Sequence, residues 1–183
     1  MRRESDQASS STSASTSRAL APTRSFFIEE SVIIGQEQDF QRVEKLVIDD
    51  AEANSLLGIG VVGKGGSGKT LLLKTIFNSQ KVRTLFHDGL LLWLTVSQSP
   101  SFSSLRIDLC QQIAVQTNEH HDQSMNEEDR KRWLSQRMRA KRFALFLDDV
   151  WGEGGKLLEE LGLSRRTEHS NSKIIVSSRN HRA

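Results

Sequence analysis

One eight-residue segment constrains the fold of this 183-residue chain more than any other part of the sequence. Residues 63–70 read Gly-Lys-Gly-Gly-Ser-Gly-Lys-Thr, which satisfies the pattern G-x-x-x-x-G-K-[ST]. A backbone can wrap its N–H groups around a polyphosphate only where it takes positive φ angles and approaches the ligand closely, and glycine permits both. The segment therefore predicts a phosphate-binding loop, which must lie between a buried parallel strand and a helix.

Both neighbours of this loop have the composition that such a geometry requires. Residues 56–62 form a short, almost wholly apolar run, typical of a parallel strand buried on both faces, and residues 70–78 predict a helix. Lys69 is then expected to reach the β- and γ-phosphates, and Thr70 to offer its hydroxyl to Mg²⁺. The predicted nucleotide-binding set comprises Gly63, Lys64, Gly65, Gly66, Ser67, Gly68, Lys69, Thr70 and Leu71.

A second apolar strand carries the acidic groups that a nucleotide-bound metal needs. Residues 143–147 are apolar, and Asp148 and Asp149 follow where the strand is expected to emerge beside the phosphate site. Asp148 is predicted to be the outer-sphere partner of Mg²⁺. Asp149 is predicted to orient or activate a water for attack on the γ-phosphate.

The rest of the chain alternates between strand and helix patterns. A strand is predicted at residues 89–96, helices at 102–116 and 126–140, and a short helix at 156–161. This alternation favours an α/β fold with a parallel sheet and helices on both of its faces.

Four segments together resemble the NB-ARC nucleotide switch of plant intracellular immune receptors, in the same order and with the same spacing. They are the loop at 63–70, Leu-Leu-Leu-Trp-Leu-Thr-Val-Ser at 90–97, Leu-Asp-Asp-Val-Trp at 147–151 and Lys-Ile-Ile-Val-Ser-Ser-Arg at 173–179. The resemblance covers about residues 28–180. It implies a three-layer P-loop NTPase fold with a central, mainly parallel sheet, and ADP or ATP with Mg²⁺ as the bound group.

The resemblance also assigns roles to residues outside the loop. Arg179, at the end of the last strand, would sense the γ-phosphate. The lead-in segment at 32–37 would lie along the adenine, so Ile33 and Ile34 would contact the base. The family acts as a switch in which the ADP state is closed and exchange to ATP favours an open, oligomerising state.

Several positions depart from the family pattern without removing a phosphate or metal group. Lys64 stands where an apolar residue is usual, Gln36 where arginine is usual, and Ser177 and Ser178 replace two threonines. The resemblance further implies that residues 28–183 form a partial domain, truncated before the helical subdomains. In the implied sheet the sensor strand lies between the loop strand and the acidic strand. The loop strand is then expected to be an exposed edge, because its fifth-strand neighbour is missing.

The N-terminal residues have a different composition. Nine of the thirteen residues from 5 to 17 are Ser or Thr, so residues 1–27 are expected to form a disordered tail, which is favoured over an organellar transit peptide. Neither a secretory segment nor a membrane span is predicted. A single cysteine, Cys110, predicts a buried apolar role and is consistent with a cytoplasmic protein; a nuclear or organellar location is left open.

Two other features are given structural interpretations. His120 and His121 are interpreted as part of a solvated loop, since no further ligands lie at metal-binding spacing. The basic run 130–142 is interpreted as the solvent side of an amphipathic helix. With a net charge of only +2, nucleic acid is not the expected partner.

The function expected from the whole chain is an ADP/ATP-binding switch module of an immune-receptor-like, defence-related protein, with at most slow ATP hydrolysis. Protein partners would bind through missing or N-terminal regions. Two alternatives are left open by the residues: a non-catalytic truncated fragment or interaction module, and a small P-loop kinase or ATPase.

Overall fold

The computed structural model of the protein describes residues 36–49, 56–152, 154–163 and 172–179. The strands in these ranges are β1 (Leu57–Val62), β2 (Leu90–Thr95), β3 (Phe143–Val150) and β4 (Lys173–Ser178). The helices are α1 (Glu37–Ile48), α2 (Lys69–Asn78), α3 (Gln80–Leu85), α4 (Phe102–Thr117), α5 (Glu127–Ala140) and α6 (Gly154–Glu160). The predicted tail at 1–27, and Ile33 and Ile34, lie outside the described residues.

The described strands form one sheet in the order β1-β4-β3-β2, and every pair is parallel. The predicted α/β P-loop NTPase fold is therefore confirmed. As expected, β4 lies between the loop strand β1 and the acidic strand β3. Among the described strands, β1 and β2 are the two edges of the sheet.

Alternation along the strands sends apolar side chains to both faces of the sheet. In β3, Phe143, Leu145 and Leu147 pack towards α4, α5 and α6, in a core that includes Leu109 and Leu134. On the opposite face lie Ala144 and Phe146, which pack with residues of α1, α2 and α3. Both faces are thus covered by helices, which explains why the strands read as continuous apolar runs.

An aromatic cluster lies on the α2 side of the sheet. Phe77 meets Trp93 and Phe146 edge-on, with ring centroids 5.6 and 5.3 Å away, and Trp93 and Phe146 stack at 6.0 Å. Aromatic pairs in these geometries contribute about 0.5–1.5 kcal/mol beyond the burial of their surface. The cluster holds the C-terminal end of α2 against β2 and β3.

The free edge of β2 is covered by two glutamine side chains of α4. Gln112 accepts from the Trp93 N–H at 2.9 Å and donates to the Trp93 carbonyl at 2.7 Å. One turn later, Gln116 makes the same pair of bonds with Leu91, both at 2.9 Å. Each amide imitates the backbone of a neighbouring strand, so these backbone groups are satisfied without one.

Most predicted elements appear within a few residues of their expected bounds. Helix α4 begins after Ser101, whose hydroxyl accepts from the Ser104 N–H, and α5 begins after Asn126, whose side chain accepts from the Asp129 N–H. These are ordinary N-caps. The sequence interpretation omitted α1 and α3, while the predicted helix at 156–161 is found at 154–160.

The interpretation of the basic run as a solvated face is wrong for Arg130. This residue is only 5% exposed, and its guanidinium donates to Glu127 at 2.6 Å and to the Met125 carbonyl at 2.7 Å. Arg106 of α4, also buried, donates to the same carboxylate at 2.8 Å. Two buried cations therefore share one acid, one as an i,i+3 pair within α5 and one reaching across from α4, and the second of these is a contact that helical spacing cannot reveal.

Cys110 is fully buried in the α4–α5 core, as predicted. Desolvation by burial raises the pKa of its thiol to about 12. The thiolate is thus suppressed at neutral pH, which leaves Cys110 as a packing residue.

Candidate functional site

The phosphate-binding loop has the backbone conformation that its glycines allow. Gly66 and Gly68 have φ angles of 76° and 82°. A Cβ added at Gly68 would lie 2.8 Å from Nε2 of Gln36, which itself donates to the Ser67 carbonyl. Gly68 is favoured by its positive φ angle, while the Gln36 side chain could move aside for a Cβ; Gln36 is a loop contact that the sequence analysis did not assign.

Lys69, the first residue of α2, folds its ammonium group back into the loop. Its Nζ donates to the carbonyls of Gly63 and Lys64, both at 2.8 Å, and lies 3.4 Å from the Ser67 hydroxyl. The charge is therefore held inside the curve of the loop. Anionic oxygens entering that curve would meet the ammonium group together with the N-terminus of α2.

Thr70 and Asp148 come together from α2 and β3, although 78 positions separate them in the sequence. The Thr70 hydroxyl donates to Oδ1 of Asp148 at 3.0 Å. Asp148 is 3% exposed, and its Oδ1 also accepts from the Ser177 hydroxyl at 2.6 Å. A hydroxyl and a carboxylate form the hard oxygen donor set that Mg²⁺ prefers, so these residues fit the predicted metal.

The acidic strand has a bulge at its two carboxylates. Leu147 pairs with Val176 and Val150 with Ser178, so Asp148 and Asp149 together face Ser177. Asp149 has a positive φ of 57°, rare for a residue with a side chain, and its N–H donates to the Ser177 hydroxyl at 2.9 Å. The bulge lets Ser177 bond both residues while their side chains diverge.

Arg179 lies beside this bulge, just after β4. Its Nε is 3.4 Å from Oδ1 of Asp149, and its guanidinium carbon lies 5.0 Å from the centroid of the Trp151 ring. A Cβ added at Gly65 would be 3.5 Å from its Nη1, so the guanidinium borders the phosphate-binding loop. The structure thus brings Arg179 into one site with the loop and the acidic pair.

Two clefts border the loop. One, of about 560 Å³, is lined on its floor by Thr70, Asp148, Asp149, Ser177 and Arg179 and on its loop side by residues 65–69. The other, of about 690 Å³, lies between α1 and β1 and includes Gln36, Gly63 and Lys69. A polyphosphate in the loop would therefore have open space on both sides.

The predicted site residues that are described lie together at the carboxyl ends of β1, β3 and β4. Sequence reasoning did not assign Gln36, Ser177 or Trp151 to the site. Hydroxyls at the end of β4 were a usable signal for Ser177, but the bulge that brings it to both aspartates leaves no local pattern.

The two histidines interpreted as part of a solvated loop differ in the structure. His120 is exposed, whereas His121 is partly buried and packs against Trp133, with ring centroids 5.2 Å apart.

Fold and loop together define the chain as an α/β domain of the P-loop NTPase class. Residues 36–183 match the NB-ARC domain. The chain therefore belongs to the NB-ARC family of nucleotide-binding domains.

Similar curated proteins come from plants. The disease resistance protein SUMM2 of Arabidopsis thaliana is 28% identical over 82% of this chain and 16% of its own length. RPP13, from the same plant, is 26% identical over 94% of this chain and 20% of its own length. RGA2 of Solanum bulbocastanum is 26% identical over 83% of this chain and 15% of its own length. The chain spans a fifth or less of the length of these relatives.

In the part of the chain that the structure describes, no helix is both long and apolar enough to cross a membrane.

Proposed function

We propose that this chain is the ADP/ATP-binding module of a nucleotide switch in a plant defence protein. The observation that carries the proposal is the loop with Lys69 folded inside it, beside the Thr70–Asp148 hydrogen bond of 3.0 Å. The names of the similar proteins, which are disease resistance proteins, support the biological setting.

Phosphate binding would exchange one set of Lys69 partners for another. Its ammonium group donates to two loop carbonyls at 2.8 Å, and phosphate oxygens would replace these neutral acceptors with charged ones. Hydrogen bonds to charged groups are worth about 1.5–3 kcal/mol each. The N–H groups at the start of α2 would act on the same anion.

Metal binding is assigned to Thr70 and Asp148. When bound there, Mg²⁺ would supply positive charge against the charge that develops during phosphoryl transfer. Ser177 keeps Asp148 oriented through the 2.6 Å hydrogen bond, which leaves the carboxylate aligned with Thr70.

Slow hydrolysis would depend on Asp149 and Arg179. The Asp149 side chain lines the cleft beside the loop, where its carboxylate could accept a proton from a water near the γ-phosphate. Arg179 is paired with that carboxylate at 3.4 Å, and a γ-phosphate would compete for its guanidinium. Because ADP has no γ-phosphate, it would leave Arg179 with Asp149, so the site would differ between the two bound nucleotides.

The location and the partners that we propose for the module are those expected of the NB-ARC family. We place the module in the cytoplasm and expect its partners to be proteins, not nucleic acid. Ile33 and Ile34 keep their proposed adenine contacts, on residues outside the described ranges.

Nucleotide binding by matched lysine variants tests this function. Fluorescent ADP and ATP would be titrated, with Mg²⁺, into the wild type, Lys69→Ala and Lys45→Ala. Lys45 is an exposed lysine of α1 that lines neither cleft, so its loss controls for net charge. We expect Lys69→Ala to weaken binding by more than about 100-fold and Lys45→Ala to leave it unchanged.

Two aspartate variants separate binding from hydrolysis. Asp149→Ala should bind ATP like the wild type while losing about 100-fold or more in hydrolysis. Asp148→Asn should remove the gain in ATP affinity that Mg²⁺ provides. Equal nucleotide affinity in the wild type and Lys69→Ala would refute the assignment.

A further inference from the structure

Arg179 has three neighbours at the site: the carboxylate of Asp149, the ring of Trp151 and the loop at Gly65. The side chains of Arg179 and Asp149 are 51% and 36% exposed, and their closest atoms are 3.4 Å apart. An ion pair this open and this long contributes little energy and fixes the guanidinium direction poorly. Asp149 alone therefore orients Arg179 weakly.

The second contact of Arg179 is with the aromatic ring of Trp151. The Arg179 guanidinium carbon lies 5.0 Å from the centroid of the Trp151 ring. A planar guanidinium against an aromatic face is attracted by the ring quadrupole and by stacking, and salt weakens this contact less than an exposed ion pair. The indole face therefore gives the guanidinium a second contact, one that does not depend on an exposed carboxylate.

The backbone on the N-terminal side of Trp151 is fixed by sheet contacts. The preceding residue, Val150, is 2% exposed, pairs with Ser178 across the sheet, and accepts a hydrogen bond of 2.9 Å from the Ser178 hydroxyl at its carbonyl. The following residue, Gly152, turns the chain away with a φ of 87°. The indole is left 40% exposed at the rim of the site, unlike the buried Trp93 and Trp133.

The third neighbour of Arg179 is the phosphate-binding loop itself. The guanidinium nitrogen Nη1 borders Gly65, so the guanidinium lies between Trp151 and the loop. A γ-phosphate bound in the loop would meet a guanidinium already oriented, while a diphosphate would leave that contact unmade.

We propose that Trp151 is a positioning residue that orients Arg179 for the third phosphate, and so contributes to the preference for ATP over ADP. This rests on the proposed nucleotide-binding function. In this arrangement the third phosphate replaces Asp149 as the partner of Arg179, while the contact with the Trp151 ring is kept. Asp149 is thereby released to act on water.

The test compares ATP and ADP affinities, with Mg²⁺, in three forms of the full chain. They are the wild type, Trp151→Leu, which keeps an apolar side chain without a ring face, and Trp151→Phe, which restores a face. We expect Trp151→Leu to lower the ratio of ATP to ADP affinity by about two- to five-fold, with ADP affinity unchanged. Trp151→Phe should recover part of that loss, and circular dichroism melts check that each form folds.

The same pair measured in an Arg179→Ala background decides whether Trp151 acts through Arg179. The proposal predicts that Trp151→Leu then has no further effect on the ratio. An equal loss for ADP and ATP, an unchanged ratio, or an effect that persists without Arg179 would overturn the inference while leaving the nucleotide site intact. Failure of the wild type to bind either nucleotide would instead refute the proposed function.

Discussion

The interior of the sheet is regular and apolar, whereas the carboxyl end of the sheet is irregular and polar. In the interior, side chains alternate without interruption between two apolar cores, and the β2–β3 register is regular from Leu90 to Thr95. At the carboxyl end β3 bulges, Asp149 takes a positive φ, and hydroxyls and charges replace methyl groups. The residues that stabilise the fold thus lie in the sheet interior, and the polar residues of the candidate site lie at the carboxyl ends of the strands.

The largest effect that this contrast predicts is on stability, from a residue that never touches the site. Phe146 is fully buried and packs against both Phe77 and Trp93. We expect Phe146→Ala to lower the free energy of unfolding by about 3–5 kcal/mol, because a large cavity would remain between the sheet and α2. Urea denaturation would measure it.

Val115 provides the control for that experiment. It is 73% exposed on α4, so Val115→Ala should change the free energy of unfolding by no more than about 0.5 kcal/mol. Similar losses in the two variants would mean that Phe146 does not lie in a packed core, and the contrast between the two regions would fail.

A smaller effect is expected at the β2 edge, where the interior meets solvent. Replacing Gln112 and Gln116 together by alanine removes the bonds to Trp93 and Leu91 and exposes unpaired strand backbone. We expect a loss of about 1–3 kcal/mol and concentration-dependent association, which light scattering would detect.

Gln111 is the matched control, because it is an exposed glutamine on the same helix. Gln111→Ala should remain monodisperse at the same protein concentration. Association of this control, or none in the double variant, would show that the two amides do not protect the edge.

The smallest predicted effect is a pH dependence that arises far from the site. The Ser103 hydroxyl and then Arg106 hold the pKa of Glu127 below its ordinary 4.5. A depressed folded-state pKa contributes stability that is present above the unfolded value and lost as pH falls through the folded one. Stability should therefore decline from about pH 4.5 downward, with a shallower decline in Glu127→Gln.

Thermal melts of both forms from neutral pH to about pH 3 would measure this slope. The same slope in Glu127→Gln and in the wild type would assign the acid sensitivity to other carboxylates. A steeper slope in the variant would contradict the sign of the linkage.

The interior was largely predictable from the sequence because its rules are local. Runs such as 143–147 reveal a buried strand from composition alone, and Asn126 followed by acids marks the start of α5. The strand order came from the family resemblance, since periodicity says nothing about which strands are neighbours. Helix α3 escaped prediction because its six residues are too few to show a period.

The candidate site was predictable in its membership but not in its geometry. The loop and Asp148, Asp149 and Arg179 were recognisable from motifs, and their roles remain predictions. The bulge that turns Ser177 towards both aspartates depends on cross-strand register, and the pairing of Arg106 with Glu127 depends on α4 meeting α5. Such contacts arise only when distant segments meet, so a local pattern cannot encode them.

The most direct test of the account is whether the chain discriminates ADP from AMP. Lys69 and the start of α2 are arranged to hold a second phosphate, so the β-phosphate should dominate binding. Calorimetric titration of the wild type should give ADP an affinity at least about 100-fold higher than that of AMP. Equal affinities for ADP and AMP would contradict a phosphate-binding role for residues 63–70.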